Sequence, residues 1–185
     1  MSRTLAGNIV ANRSATDRRA LDFYSTPPDV TRALMQWLDL PPSIIWEPAC
    51  GDGIMVDVIE SFGHTVLRSD IREIPHGMSN VDFLETQMPC DAIITNPPFA
   101  LSAKFIEHAV SIAPVVALLL KSQFWHAQKR TPLFRKTNPS AVLALNWRPD
   151  FLFGEKGGAP TMDLLWTIWD KSKAGSCIYD ILERP

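Results

Sequence analysis

Ala92-Ile93-Ile94-Thr95-Asn96-Pro97-Pro98-Phe99 joins a short apolar run to a stiff polar turn. The run has the length of a buried strand, so the turn falls at its carboxyl end, where open α/β sheets place their chemistry. Two consecutive prolines fix φ and remove two backbone donors, and the residue before a proline is held extended. The Asn96 amide and the neighbouring carbonyls are thereby presented outward beside the Phe99 ring. That arrangement suits gripping a planar group that carries an NH2.

Outward from this stretch, strands and helices alternate. Val30, Ala33, Leu34, Trp37 and Leu38 keep helical spacing, with Asp29 as the expected N-cap and Pro41-Pro42 as the stop. Ser43-Ile44-Ile45-Trp46 reads as the first strand. A helix follows from Ile54 to Phe62, ended by Gly63 as a left-handed cap. Thr65-Val66-Leu67 is the second strand and closes on Ser69-Asp70. Val81-Asp82-Phe83-Leu84 reads as a short third strand or its exit. After Asn96 come a helix marked by Phe105, Ile106, Ala109 and Val110, a strand over 114–120 and a helical or loop segment over 123–137. A strand over 141–147, a glycine-rich loop over 153–160 and a last strand over 164–169 complete the pattern. The alternation predicts an α/β fold with a doubly wound, mostly parallel sheet. The expected organisation is an amino-terminal arm over 1–21, a catalytic domain over 22–171 and a tail over 172–185.

Composition narrows the class. At 185 residues, with 46% hydrophobic and 21% charged residues, the chain has the size and balance of one globular domain. Cys50, Cys90 and Cys177 are odd in number and widely spaced, and the four histidines show no ligand spacing, so neither a disulfide framework nor a metal site is expected. No signal peptide is visible and the longest apolar run, over 113–120, is too short to span a membrane; a cytoplasmic, reducing location is expected. The net charge of −2 is not that of a basic protein, yet Lys121, Lys129, Arg130, Arg135 and Lys136 lie in an acid-free stretch suited to a polyanion. Arg3, Arg13, Arg18 and Arg19 form a second basic group.

Between the first strand and its helix lies Glu47-Pro48-Ala49-Cys50-Gly51-Asp52-Gly53. Its glycines permit a tight turn and close backbone approach to a ligand, but the spacing is not G-x-G-x-x-G and no Lys-Ser or Lys-Thr follows. A pyrophosphate cradle is therefore disfavoured. Asp70 stands at the end of the next strand, where an acid can bind the two hydroxyls of an adenosine-type ribose.

These segments, taken in order with Asp82-Phe83 and Asn96-Pro97-Pro98-Phe99, resemble the motifs of S-adenosylmethionine-dependent DNA adenine-N6 methyltransferases. Tyr24-Ser25-Thr26-Pro27-Pro28 resembles the segment that closes over the methionine end of the cofactor, and Arg148-Pro149, Phe151 and the Trp-rich last strand resemble small phage-type members. The resemblance implies a Rossmann-like methyltransferase fold with an antiparallel last strand. It assigns the methionine moiety to the backbone of Glu47, Pro48, Ala49, Gly51, Asp52 and Gly53, with Tyr24, Thr26 and Pro27 beside it. Asp70 would take the ribose, Asp82 the adenine amino group, and Phe83 or Ile71 the purine face. Asn96 and the Pro97 carbonyl, stiffened by Pro98, would accept from the target amino group while Phe99 stacks on a flipped base.

An exocyclic purine amine is a poor nucleophile because its lone pair is delocalised. Acceptors on both N–H bonds favour a pyramidal nitrogen, which can then attack a methyl in line; orientation and a fixed polar environment do much of the work. DNA is the expected partner, with RNA possible, and little chain beyond the last strand is left for a target-recognition domain. A short or relaxed sequence preference, a specificity partner or a homodimer is expected. Glutamine methylation matches the motif best when its last residue is Tyr rather than Phe99; a silent binding subunit would show decay of the glycine turn or of Asn96, and both are intact. Pro89-Cys90 lies at the wrong end of its strand for a cytosine-directed thiol.

Overall fold

The computed structural model describes residues 25–151 and 162–185. Tyr24, the amino-terminal arginines and the glycine-rich loop over 153–160 lie outside the described residues. Seven strands form one sheet: β1 Ile44–Glu47, β2 Thr65–Arg68, β3 Ala92–Thr95, β4 Val115–Lys121, β5 Ala141–Leu145, β6 Leu164–Asp170 and β7 Ile178–Leu182. Their order is β2-β1-β3-β4-β6-β5-β7. β6 runs antiparallel to both neighbours and every other pairing is parallel.

The period-two alternation of side chains divides two cores between the faces. Ile45, Ile94, Ala117, Leu119, Leu143 and Trp166 point to one face, under α1 (Pro28–Trp37) and α2 (Ile54–Ser61). Trp46, Ile93, Val116, Leu118 and Leu120 point to the other, under Phe105, Ile106 and Ala109 of α3 (Ser102–Ile112) and Leu133 of α4 (Thr131–Lys136). Each such fully buried aliphatic side chain contributes about 1.5–3 kcal/mol. Trp166 also ties α1 to the sheet, its indole N–H donating to the Val30 carbonyl at 3.1 Å. No helix among the described residues is long and apolar enough to cross a membrane.

Four local expectations are corrected. Asp29 does not cap α1: Pro27 occupies the cap, Pro28 opens the helix, and Asp29 accepts from the Arg184 guanidinium at 2.7 Å. The 81–84 segment is no strand; Asp82 caps a 3-10 turn, Phe83–Glu85, by accepting the Leu84 N–H at 2.9 Å. The segment over 122–136 is helical as expected, two 3-10 turns followed by α4, but the next strand stops at Leu145 rather than at 147. Beyond Lys171 the chain adds β7 alongside β5 (Ala141 opposite Ile178, Leu145 opposite Leu182), so the antiparallel strand is not the last one.

Gly63 behaves as expected. Its φ is +86°, its N–H donates to the Glu60 carbonyl at 2.9 Å, and a Cβ there would meet nothing within 4 Å. Gly63→Ala therefore costs conformational energy alone, about 1 kcal/mol. Urea denaturation should register that loss as a lower midpoint at unchanged slope.

Candidate active site

β1 has β2 on one side and β3 on the other, so the chain leaves the β1 carboxyl end in one direction and returns on the other side. A crevice opens at such a switch point. Here it is a cavity of about 1240 Å3 whose walls include Glu47 to Cys50 after β1, Asp70 to Arg72 after β2, and Asn96 to Leu101 after β3. A further wall comes from the Phe83 turn and from Lys104, Glu107, His108 and Ser111 of α3.

The turn after β1 is held by its neighbours. Gly51 and Gly53 sit at φ of +56° and +85°, a region that other L-residues enter only with strain. The Cys50 N–H donates to the Ser69 carbonyl and the Ser69 N–H to the Glu47 carbonyl, both at 3.1 Å. Glu47 is 1% exposed. Its Oε1 accepts from the Thr95 hydroxyl at 2.5 Å and the Ala49 N–H at 3.1 Å, which joins the ends of β1 and β3. Its Oε2 is buried without a hydrogen-bond partner among the described residues. Burial pushes the Glu47 carboxyl up to about 8; the Asp70 charge adds to this, while the bonds from Thr95 and Ala49 oppose it. Burial, with Glu47 and Asp70 nearby, pushes the Cys50 thiol up to about 12, so Cys50 is no nucleophile.

Asn96 donates from Nδ2 to the Thr26 hydroxyl at 3.0 Å, and its Oδ1 is buried with no partner among the described residues. A buried carbonyl left unpaired costs about 1–3 kcal/mol. On this cavity Asn96 Oδ1 fits a ligand that brings an N–H donor, whereas Glu47 Oε2, the oxygen left to carry the proton of the neutral carboxyl, fits one that brings an acceptor. Phe99 is half-buried, and the Lys121 ammonium lies 4.3 Å from its ring centroid.

Among the residues singled out from sequence, Thr26, Glu47, Pro48, Ala49, Asp52, Asp70, Ile71, Asp82, Phe83 and all four of Asn96, Pro97, Pro98 and Phe99 line the cavity. Pro27, Gly51 and Gly53 do not: Pro27 caps α1, and the two glycines supply the positive φ of the turn. Phe83 is primarily a core residue, 2% exposed and packed on Trp46, Phe105 and His108 at ring separations of 5.1, 4.7 and 4.9 Å. Ile71, 60% exposed, is the apolar group at the rim.

The basic stretch does not act as a unit. Arg130 lies 4.2 Å over the Phe124 ring and donates to the Phe124 carbonyl at 2.7 Å, a structural clasp. Lys136 approaches Glu107 at 3.8 Å. Lys129 and Arg135 are exposed, and Lys121 alone of the five reaches Phe99.

Sequence reasoning missed Thr95, Arg72 and the α3 wall. The wall was readable: Lys104, Glu107, His108 and Ser111 are spaced i, i+3, i+4, i+7 on one helical face. Thr95 was read only as part of an apolar run.

The sheet order, single antiparallel strand and cavity position define a Rossmann-like methyltransferase fold. Among solved structures, the chain is similar to a candidate RNA methyltransferase from Pyrococcus horikoshii (TM-score 0.64, 14% identity, 87% of this chain and 90% of that one). It is also similar to a candidate class I S-adenosylmethionine-dependent methyltransferase from Listeria monocytogenes (TM-score 0.58, 14% identity, 85% and 65%). A chain from a type I restriction-modification system matches at TM-score 0.65 and 15% identity over 90% of this chain and 46% of its own length. The chain thus spans about half of that last relative. No protein-family model matches the chain, and no curated protein matches it by sequence.

Proposed function

We propose that the chain is an S-adenosylmethionine-dependent methyltransferase that acts on the N6 amino group of adenine in DNA. The observation that supports this most is Asn96: a buried amide oxygen, unpaired among the described residues, on the same cavity as the turn after β1. When bound, the sulfonium cofactor would supply an electrophilic methyl carbon with a neutral thioether as its leaving group. The Glu47–Gly53 backbone would hold the methionine end, and Asp82 would accept from the cofactor's adenine amino group. Asn96 Oδ1 and the Pro97 carbonyl accept from the target N–H groups; the nitrogen releases its surplus proton to solvent. Phe99 stacks on the extruded base, offsetting part of an unstacking cost of a few kcal/mol, and Lys121 beside it neutralises a neighbouring phosphate.

RNA adenine is the second reading, favoured by the Pyrococcus horikoshii neighbour. Incubation with methyl-labelled cofactor and DNA, RNA or protein, followed by nucleoside analysis, separates them. Label recovered as N6-methyladenine in DNA is the expected result. Label confined to RNA or to protein overturns the DNA assignment, and no label in any substrate overturns the activity.

A further inference from the structure

Asp70 is 2% exposed and its carboxylate accepts four hydrogen bonds. Oδ1 takes the Arg72 backbone N–H at 2.8 Å and Arg72 Nε at 2.9 Å. Oδ2 takes the Gly51 N–H at 3.0 Å and Arg72 Nη2 at 2.8 Å. An ionised carboxylate offers about four lone-pair positions. Asp70 is therefore saturated, and a ribose cannot add to it as it stands. Two of its donors are backbone groups that define the Gly51 turn and the β2 exit. The other two are the guanidinium fork, which delivers one N–H to each oxygen just as a vicinal diol delivers two O–H groups. The Arg72 side chain is 39% exposed and borders the same cavity. Asp52, exposed on the same cavity, offers a carboxylate for it to move to.

We propose that Arg72 is a resident competitor of the cofactor's ribose: its fork fills the two Asp70 acceptor positions that the 2′ and 3′ hydroxyls need, and it crosses to Asp52 when they arrive. This rests on the methyltransferase reading above. The contact makes Arg72 a specificity residue. A ligand with both hydroxyls replaces both bonds that it breaks, whereas one lacking either leaves Asp70 underpaired or the fork in place. It also accounts for a strand-end acid that is engaged so completely by its own chain.

The test uses calorimetric binding of S-adenosylhomocysteine and of its 2′,3′-dideoxy analogue to the full chain and to Arg72→Ala, with thermal unfolding to verify that both are folded. Arg72→Ala should bind the parent ligand about tenfold more tightly, the worth of one charge-assisted hydrogen bond, and the dideoxy analogue with unchanged affinity. Arg72→Lys, which keeps the charge but not the two-pronged geometry, should fall between and carries the test if Arg72→Ala does not fold. Weaker parent binding by either variant, or an equal change for both ligands, overturns the competition. Equal parent affinity in all proteins overturns it while leaving the methyltransferase reading intact. Failure of every protein to bind either ligand overturns both.

Discussion

Replacing Asn96 by alanine is expected to lower methyl transfer by roughly 10²–10³-fold, the loss seen when one fixed polar contact to a reacting group is removed. The fold should survive. The side chain's one structural bond, Nδ2 to the Thr26 hydroxyl at 3.0 Å, is partly buried, and its Oδ1 makes none among the described residues. Stability should therefore change little, because the lost bond is balanced by removing an unsatisfied buried oxygen. Cofactor affinity should also hold, since the glycine turn is built on β1 and β2 rather than on Asn96. Rate, melting temperature and S-adenosylhomocysteine binding measured together give the check. A variant that keeps more than about a tenth of the rate removes Asn96 from the reacting group, and one that loses cofactor binding makes it a ligand of the cofactor instead.

Glu47 should impose a large pH dependence on stability. Its carboxyl lies near 8 in the folded chain against 4.5 for the ordinary group, so the folded state holds a proton that the unfolded state gives up. Stability is then fully present below the unfolded value and is lost as the pH rises toward 8, at up to about 1.4 kcal/mol per pH unit. The accumulated loss is on the order of a few kcal/mol. Glu47→Gln carries the neutral shape at every pH and should abolish this slope. At pH 5 the variant should be no more stable than the parent, because its amide still lacks one buried partner. At pH 8 it should be the more stable of the two. Denaturation midpoints of both proteins across this range decide the matter, and parallel pH profiles would mean that Glu47 is ionised in the folded chain.

Legibility differed by level. The two cores were open to reading because each depends on a local period: Ile93 and Ile94 alternate between faces, and Phe105, Ile106 and Ala109 share one stripe. β7 escaped notice because an edge strand needs no alternation. Ile178, Tyr179 and Ile181 remain exposed at 49%, 68% and 54%, so the sequence Ile178-Tyr179-Asp180-Ile181-Leu182 has no face to declare. The 81–84 segment misled for the opposite reason. Phe83 and Leu84 are apolar enough for a strand, but Asp82 caps its own turn through the Leu84 N–H, a side-chain bond that competes with sheet pairing. The basic stretch was legible as composition but not as an arrangement of side chains. Arg130 turns back onto Phe124 within the same stretch and Lys136 toward Glu107 on α3, contacts that composition does not record.

From its residues alone this chain declared a doubly wound sheet and the strand ends that carry its polar turns. Hydrophobic period, proline stiffness and glycine freedom are local properties that the linear order records. The state of the groups at those ends came only with the fold. Whether Glu47 holds a proton depends on how completely β1 and β3 exclude water from it. Whether Asp70 has an acceptor to spare depends on donors that converge from the Gly51 turn and from Arg72. Desolvation and hydrogen-bond saturation are properties of the space around an atom, and that space exists only once the strands are side by side.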